Sequence, residues 1–482
     1  MKKVLSAVAA VAMLASMTAC GGATSEPAST PDTAKPADTA SQSDDSGDSS
    51  SDAAPSGDQK VINLWSFTEE VPGMAEAYAK DHPDFAAKYK ISKTVKATDN
   101  GAYQNALDQA LAAGGKDAPD LYCAEAAFVL KYTQGAASQY VGTYEDLGID
   151  VSEVDSAEIA QYSVDIGTKD GKLVGLPYQA TGGCFIYRRS LAKEAFGTDD
   201  PAEISKTIGG GSGSWDKFWE AAATLKSKGI AAVSGDGDIW HAVENSSDQG
   251  WVVDGKLTID PKREEFLDLS KQLKDKGWHN DTQDWQDAWF ADMQGAGEQP
   301  VFGFFGPAWL INYTIVKNCG SFDADGNKLE GQGTFGDWAV CDSPIGFFWG
   351  GTWLLSNKDS QVKEGVGEFI HWVTLDTTED GLQYKWANGT YGVGGSKDTV
   401  ASNVVMKKSD GTLDFLGGQN MFDYFVPANE YATGKNLTEY DENINNLWRD
   451  QVRQYTAGNK TRDEAIADFK QAVGDSIDIE VE

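Results

Sequence analysis

From Val61 onward, short apolar runs alternate with segments whose apolar residues recur every three or four positions. Val61 to Phe67 has the length and composition of a buried strand. Gly73 to His82 carries helical spacing and stops at Pro83, because proline cannot continue a helix. A strand over Ile91–Ala97, a helix over Tyr103–Ala113 and a strand over Asp120–Cys123 follow. Farther on, Ser214 caps a helix running to Lys228, Gly229 ends it, and Ile230–Val233 resumes as strand. Pro261–Lys276 reads as helix, and Val301–Phe305 as a strand leading to Pro307 at a helix start. The segments 360–375, 379–387, 443–456 and 460–473 read as helices. Strands alternating with helices of this length build βαβ units, so two α/β lobes are expected, each a mainly parallel sheet flanked by helices. No internal repeat or long linker separates them, which implies that the chain crosses between lobes more than once.

The first sixty residues follow a different pattern. Lys2 and Lys3 precede a short apolar stretch, Val4–Met17, which ends in Met17-Thr18-Ala19-Cys20-Gly21. Small residues before a cysteine resemble the lipobox of bacterial lipoproteins, so residues 1–19 are expected to be a signal peptide and Cys20 an acylated anchor. Met17 departs from the usual leucine there. Residues 21–60 lack aromatics, Val, Ile, Leu and Met, and cannot bury enough apolar surface to offset ordering. They read as a disordered acidic tether, 20–60, with the folded body beginning near Val61.

At 482 residues the chain has room for two or three domains. Its 74 acidic and 40 basic residues give a formal net charge of −34, which disfavours nucleic acid and a basic-patch membrane contact. The four histidines, His82, His241, His279 and His371, show no metal-ligand spacing, so no metal and no cofactor is expected. Beyond Cys20, the even set Cys123, Cys184, Cys319 and Cys341 in an extracytoplasmic chain suggests two disulfides, with three possible pairings; 123–184 and 319–341 are favoured. Zinc is the lesser alternative, since no Cys-x-x-Cys occurs. Asp323-Ala324-Asp325-Gly326-Asn327 hints at a calcium loop, but its glycine falls too early for an EF-hand, and a solvated turn fits better. Gly209–Gly213 lacks the Lys-Ser/Thr of a phosphate loop, and no Gly-x-Ser-x-Gly elbow appears.

Several segments, in order, resemble the family 1 extracellular solute-binding proteins of ABC importers, the group that includes maltose-binding protein. Gly171–Tyr178 resembles the family's Gly-Lys-x-Tyr-Gly-Leu-Pro-Tyr segment, and Phe185–Leu191 its lobe-crossing strand, with Arg188-Arg189-Ser190 replacing Asn-Lys-Asp. Ser214–Phe218 resembles a Thr-Trp-Asp-Glu-Phe helix start. Gly306–Trp309 resembles the Gly-Pro-Trp after a strand, and Gly350–Lys358 the return to the first lobe. The resemblance covers nearly all of 61–475. It implies a two-lobed periplasmic-binding-protein fold hinged by two or three segments, with 61–183 plus 345–400 in the first lobe and 184–344 plus 401–475 in the second. It also implies ABC permease subunits as partners and a monomer held at the outer face of the cell membrane by lipid alone.

The residues point to a sugar independently. A sugar offers apolar C–H faces and a rim of hydroxyls, so it needs aromatic platforms beside fixed carboxylates and amides. The chain's 15 Trp, 17 Tyr and 20 Phe argue against wholesale disorder, and many fall where strands end, the place ligands occupy in open α/β sheets. The candidate ligand-binding residues are Trp65, Phe67, Glu69, Glu125, Asp236, Trp240, Trp285, Trp309, Trp349 and Trp353. Trp215, Trp219, Trp372 and Trp448 read instead as helix packing. The expected function is capture of an oligosaccharide without catalysis and its delivery to an ABC permease. The alternatives are a secreted glycoside hydrolase, which needs two carboxyls facing one glycosidic bond, or the same fold binding a peptide, polyamine or metal ion.

Overall fold

The computed structural model describes residues 59–320, 332–391 and 395–481. The signal, Cys20, nearly all of the tether and the Asp323–Asn327 turn lie outside the described residues. Strands of three or more residues are β1 (Lys60–Ser66), β2 (Tyr89–Val95), β3 (Leu121–Glu125), β4 (Gly175–Pro177), β5 (Cys184–Arg188), β6 (Gly303–Gly306), β7 (Trp338–Cys341) and β8 (Thr352–Ser356).

The first lobe holds a five-stranded sheet in the order β2-β1-β3-β8-β4. β1 runs parallel to β2 and β3, with Leu64 opposite Leu121, while β8 returns antiparallel with Leu354 opposite Cys123. β1 buries Ile62, Leu64 and Ser66 in strict alternation, whereas β3 is buried over Leu121–Ala124 because helices cover both of its faces. In the second lobe β5 lies between β6 and β7, antiparallel to both, with Phe185 opposite Phe305 on one side and Cys341 on the other. A mainly parallel sheet was expected there. Its parallel part is reduced to single bridges, Ala231 to Val301 and Val233 to His279.

Helix ends follow local chemistry. Asp260 accepts from the Lys262 amide at 2.9 Å, Pro261 opens the helix Pro261–Lys276, and Gly277 closes it at φ +63°. Thr461 and Glu464 form a reciprocal capping box on Arg462–Ser476.

Two crossing segments lie side by side: the Gly183 amide donates to the Phe347 carbonyl at 2.8 Å and the Trp349 amide to Thr181 at 3.1 Å. A Cβ on Gly183 would meet the Phe347 ring at 2.0 Å, so this approach requires glycine. Asn429 fastens a third segment by accepting from the Gly182 amide at 3.1 Å. Residues 402–408 pack with the first lobe, not the second as expected: the Ser402 hydroxyl donates to Ala157 at 2.6 Å and Lys407 pairs with Glu158.

The expected disulfides are absent. Cys123, Cys184, Cys319 and Cys341 are buried thiols. Cys123 sits in the first sheet and Cys184 in the second. Cys341 is opposite Phe185, so it and Cys184 lie on adjacent strands but project from opposite faces. The Cys319 thiol donates to the Val316 carbonyl at 3.1 Å.

Candidate functional site

β1 and β3 run parallel, so their C-terminal ends open at one edge of the first sheet. Phe67, just beyond β1, meets Tyr103 and Phe128 edge-on at 5.7 and 5.9 Å. Trp65 is half-buried, its carbonyl accepting from the Tyr103 hydroxyl at 3.2 Å. Glu125 ends β3, and its Oε2 accepts from the Ala127 amide at 2.7 Å. Burial, with repulsion from Glu442, pushes its carboxyl up to about 7 against that bond. Glu70 is exposed and accepts a hydrogen bond from the Tyr178 hydroxyl, and desolvation raises its carboxyl despite that bond.

The opposite wall is aromatic. Trp285 and Trp309 are nearly parallel, 9° apart with centroids at 6.1 Å, and Trp349 stands across both at 70° and 68°. The Trp309 indole N–H donates to the Trp349 carbonyl at 2.9 Å, locking two members together. The hinge glycines join the walls. A Cβ on Gly350, at φ +75°, would lie 3.4 Å from Trp309 Nε1 and 3.5 Å from Glu125 Oε1. Glu125 and the tryptophans therefore share one space. The walls also touch where Asn312 donates to the Lys397 carbonyl at 2.7 Å.

Four expected site residues lie elsewhere. Trp240 is 1% exposed and packs on Phe266 at 4.8 Å inside the second lobe. Trp353 is fully buried, its indole donating to the Ser163 carbonyl at 3.1 Å. Glu69 is on the outer surface in an ion pair with Lys93 at 3.0 Å. Asp236 accepts from the Ser270 hydroxyl at 2.6 Å, facing a helix.

His241 was missed. It stacks on Trp349 at 4.5 Å and 21°, and its Nδ1 lies 3.4 Å from Glu244. Burial opposes charge on Glu244, but His241, Arg263 and Asn445 hold its carboxyl below the usual range. The helix begins at Gly237, and one residue turns the helix by about 100°, so Trp240 points inward and His241 toward the tryptophans. The His241/Glu244 spacing of three was the available signal. Glu70 was likewise passed over for Glu69.

Among the described residues, no group of three His, Cys, Asp or Glu is placed to hold a metal, and no helix is long and apolar enough to cross a membrane. The site gathers flat apolar rings and the Glu125 carboxyl around one glycine at the seam between lobes.

Known proteins place the chain. A curated relative, the lactose-binding protein of Rhizobium radiobacter, is 27% identical over 192 residues, 38% of this chain and 40% of that protein, so the chain spans about two fifths of its length. The galacto-N-biose/lacto-N-biose I-binding protein of the ABC transporter from Bifidobacterium longum, solved with lacto-N-biose, is similar in structure: TM-score 0.62, 16% identity, 89% of this chain and 100% of that one. The ABC transporter-associated binding protein of B. animalis subsp. lactis, solved with β-1,6-galactobiose, gives TM-score 0.58, 19% identity, and 87% and 97% coverage. Both likenesses concern the fold. The family profile of bacterial extracellular solute-binding proteins matches residues 73–411, a span that takes in the second sheet, every strand of the first except β1, the hinge pair and the tryptophan wall, and the chain belongs to that family.

Proposed function

We propose that this protein is the sugar receptor of an ABC importer: it captures an oligosaccharide between its lobes and hands it to permease subunits. The observation that carries the reading is the tryptophan wall of Trp285, Trp309 and Trp349 opposite the Glu125 carboxyl. Rings of this kind stack on the C–H faces of a pyranose, while a carboxyl beside them accepts from its hydroxyls. Relatives named for lactose, lacto-N-biose and galactobiose support a sugar ligand, and the glycine-rich crossings support closure by hinge motion. The lipobox-like segment and acidic tether support a receptor anchored through Cys20 at the outer face of the cell membrane. Calorimetric titration with lactose, lacto-N-biose, β-1,6-galactobiose and maltose tests the reading. Saturable one-to-one binding with intact sugar recovered afterwards is expected. Release of monosaccharide would favour a glycoside hydrolase, and binding of none would overturn the sugar assignment.

A further inference from the structure

Trp285 has a backbone conformation that its side chain disfavours. Its φ is +67°, in the left-handed region, where a Cβ crowds the neighbouring carbonyl. Bulky residues stay there only when their surroundings over-determine the conformation. The surroundings are visible. Asp284, immediately before it, forms a two-pronged pair with Arg449 of the helix Asp441–Thr456: Nη2 to Oδ1 at 2.5 Å and Nη1 to Oδ2 at 3.3 Å. Both side chains are about 15% exposed. Burial opposes both charges, yet each holds the other ionised: the Asp284 carboxyl lies below its usual range and the Arg449 guanidinium above. Asp236, Glu244 and His241 also face this pair. Space for it comes from Gly237, where a Cβ would lie 2.5 Å from Asp284 Oδ1 and 2.8 Å from Arg449 Nη2.

We propose that the Arg449–Asp284 clamp, seated over Gly237, is a positioning device that forces Trp285 into its left-handed conformation and so sets the plane it presents beside Trp309 and Trp349. It rests on the sugar-receptor reading of the same site. The clamp touches no ligand itself. Its work is to fix one ring of the wall before a ligand arrives, so that binding does not have to order it. A lysine at 449 would keep the charge but lose the planar two-pronged grip.

The experiment uses Arg449→Lys, Gly237→Ala, Trp285→Ala, Trp285→Gly and the double variant Arg449→Lys/Trp285→Ala. In calorimetry with lactose, lacto-N-biose and β-1,6-galactobiose, Arg449→Lys and Gly237→Ala are expected to weaken the tightest sugar by about 10- to 100-fold, as for a misplaced binding group. In the Trp285→Ala background, Arg449→Lys is expected to change affinity less than about twofold, because the ring it positions is gone. An equal loss in both backgrounds would overturn the proposal, since the clamp would then act by general stability. Without sugar, near-ultraviolet circular dichroism should lose the same band in Arg449→Lys as in Trp285→Ala; an unchanged Arg449→Lys spectrum would overturn it. Trp285→Gly should melt above Trp285→Ala, because glycine alone relieves the left-handed strain, and the reverse order would also overturn it. If the wild type binds no sugar, the receptor reading fails while the spectrum and the melting order still decide the clamp.

Discussion

Replacing Glu125 by glutamine tests a carboxyl that meets the tryptophan wall across Gly350. Glutamine keeps the shape and an oxygen to accept from the Ala127 amide, bonded at 2.7 Å in the native protein. Burial raises Glu125 from 4.5 to about 7, and Glu442 adds repulsion. At about 1.4 kcal/mol per pKa unit, that rise amounts to about 3 kcal/mol against the ionised form in the folded state. The sign follows from the raised value. Glu125 contributes stability in full below its unfolded value near 4.5, and that contribution is lost as pH rises toward about 7. Wild type and Glu125→Gln should therefore melt within a degree or so of each other near pH 4.5 and diverge above it, the variant being the more stable by about 3 kcal/mol above pH 7.5. In a body of this size that corresponds to about 3 to 6 °C in melting temperature. Asp238, Asp398 and Asp441 are also pushed up to about 7, so both proteins will lose stability with rising pH; the difference between them reports Glu125. Calorimetric scans from pH 4.5 to 8.5 make the measurement. Parallel curves would refute the claim that Glu125 is desolvated at the lobe seam.

Three further outcomes are expected. Trp309→Ala should weaken sugar binding roughly 5- to 150-fold, from about 1–3 kcal/mol of lost stacking, with cooperative unfolding retained; titration of the variant checks this. Alkylation of the folded protein should leave Cys123, Cys184 and Cys341 unmodified, because burial holds their thiols protonated, with Cys123 pushed up to about 12, and denaturation without reductant should expose all four as reactive thiols by mass spectrometry. Cys20→Ser should release the protein into the medium or leave it unprocessed; cell fractionation that finds the variant still acylated and membrane-bound would refute the anchor.

What the sequence by itself determined is local. Apolar periodicity located β1, β3 and the helix Pro261–Lys276, whose ends carry Pro261 and Gly277, because each feature depends on residues a few positions apart. The ordered motifs were enough to indicate the family, and Trp285, Trp309, Trp349 and Glu125 were among the candidates because they fall in loops and at strand ends. Phase was not legible. Trp240 and His241 are adjacent in the chain, but a helix starting at Gly237 sends one into the core and the other onto Trp349. The cysteines failed for a similar reason: spacing says nothing of which sheet a strand joins or which face a residue takes, and a one-residue difference in register put Cys184 and Cys341 on opposite faces. Tertiary structure alone decided that Arg449, 165 residues from Asp284, would grip it, and that Gly237 and Gly350 would clear the space where the groups meet. Those contacts depend on how the chain returns through the hinge, and the closure of such long loops is paid for collectively by the whole fold rather than by any neighbouring run of sequence.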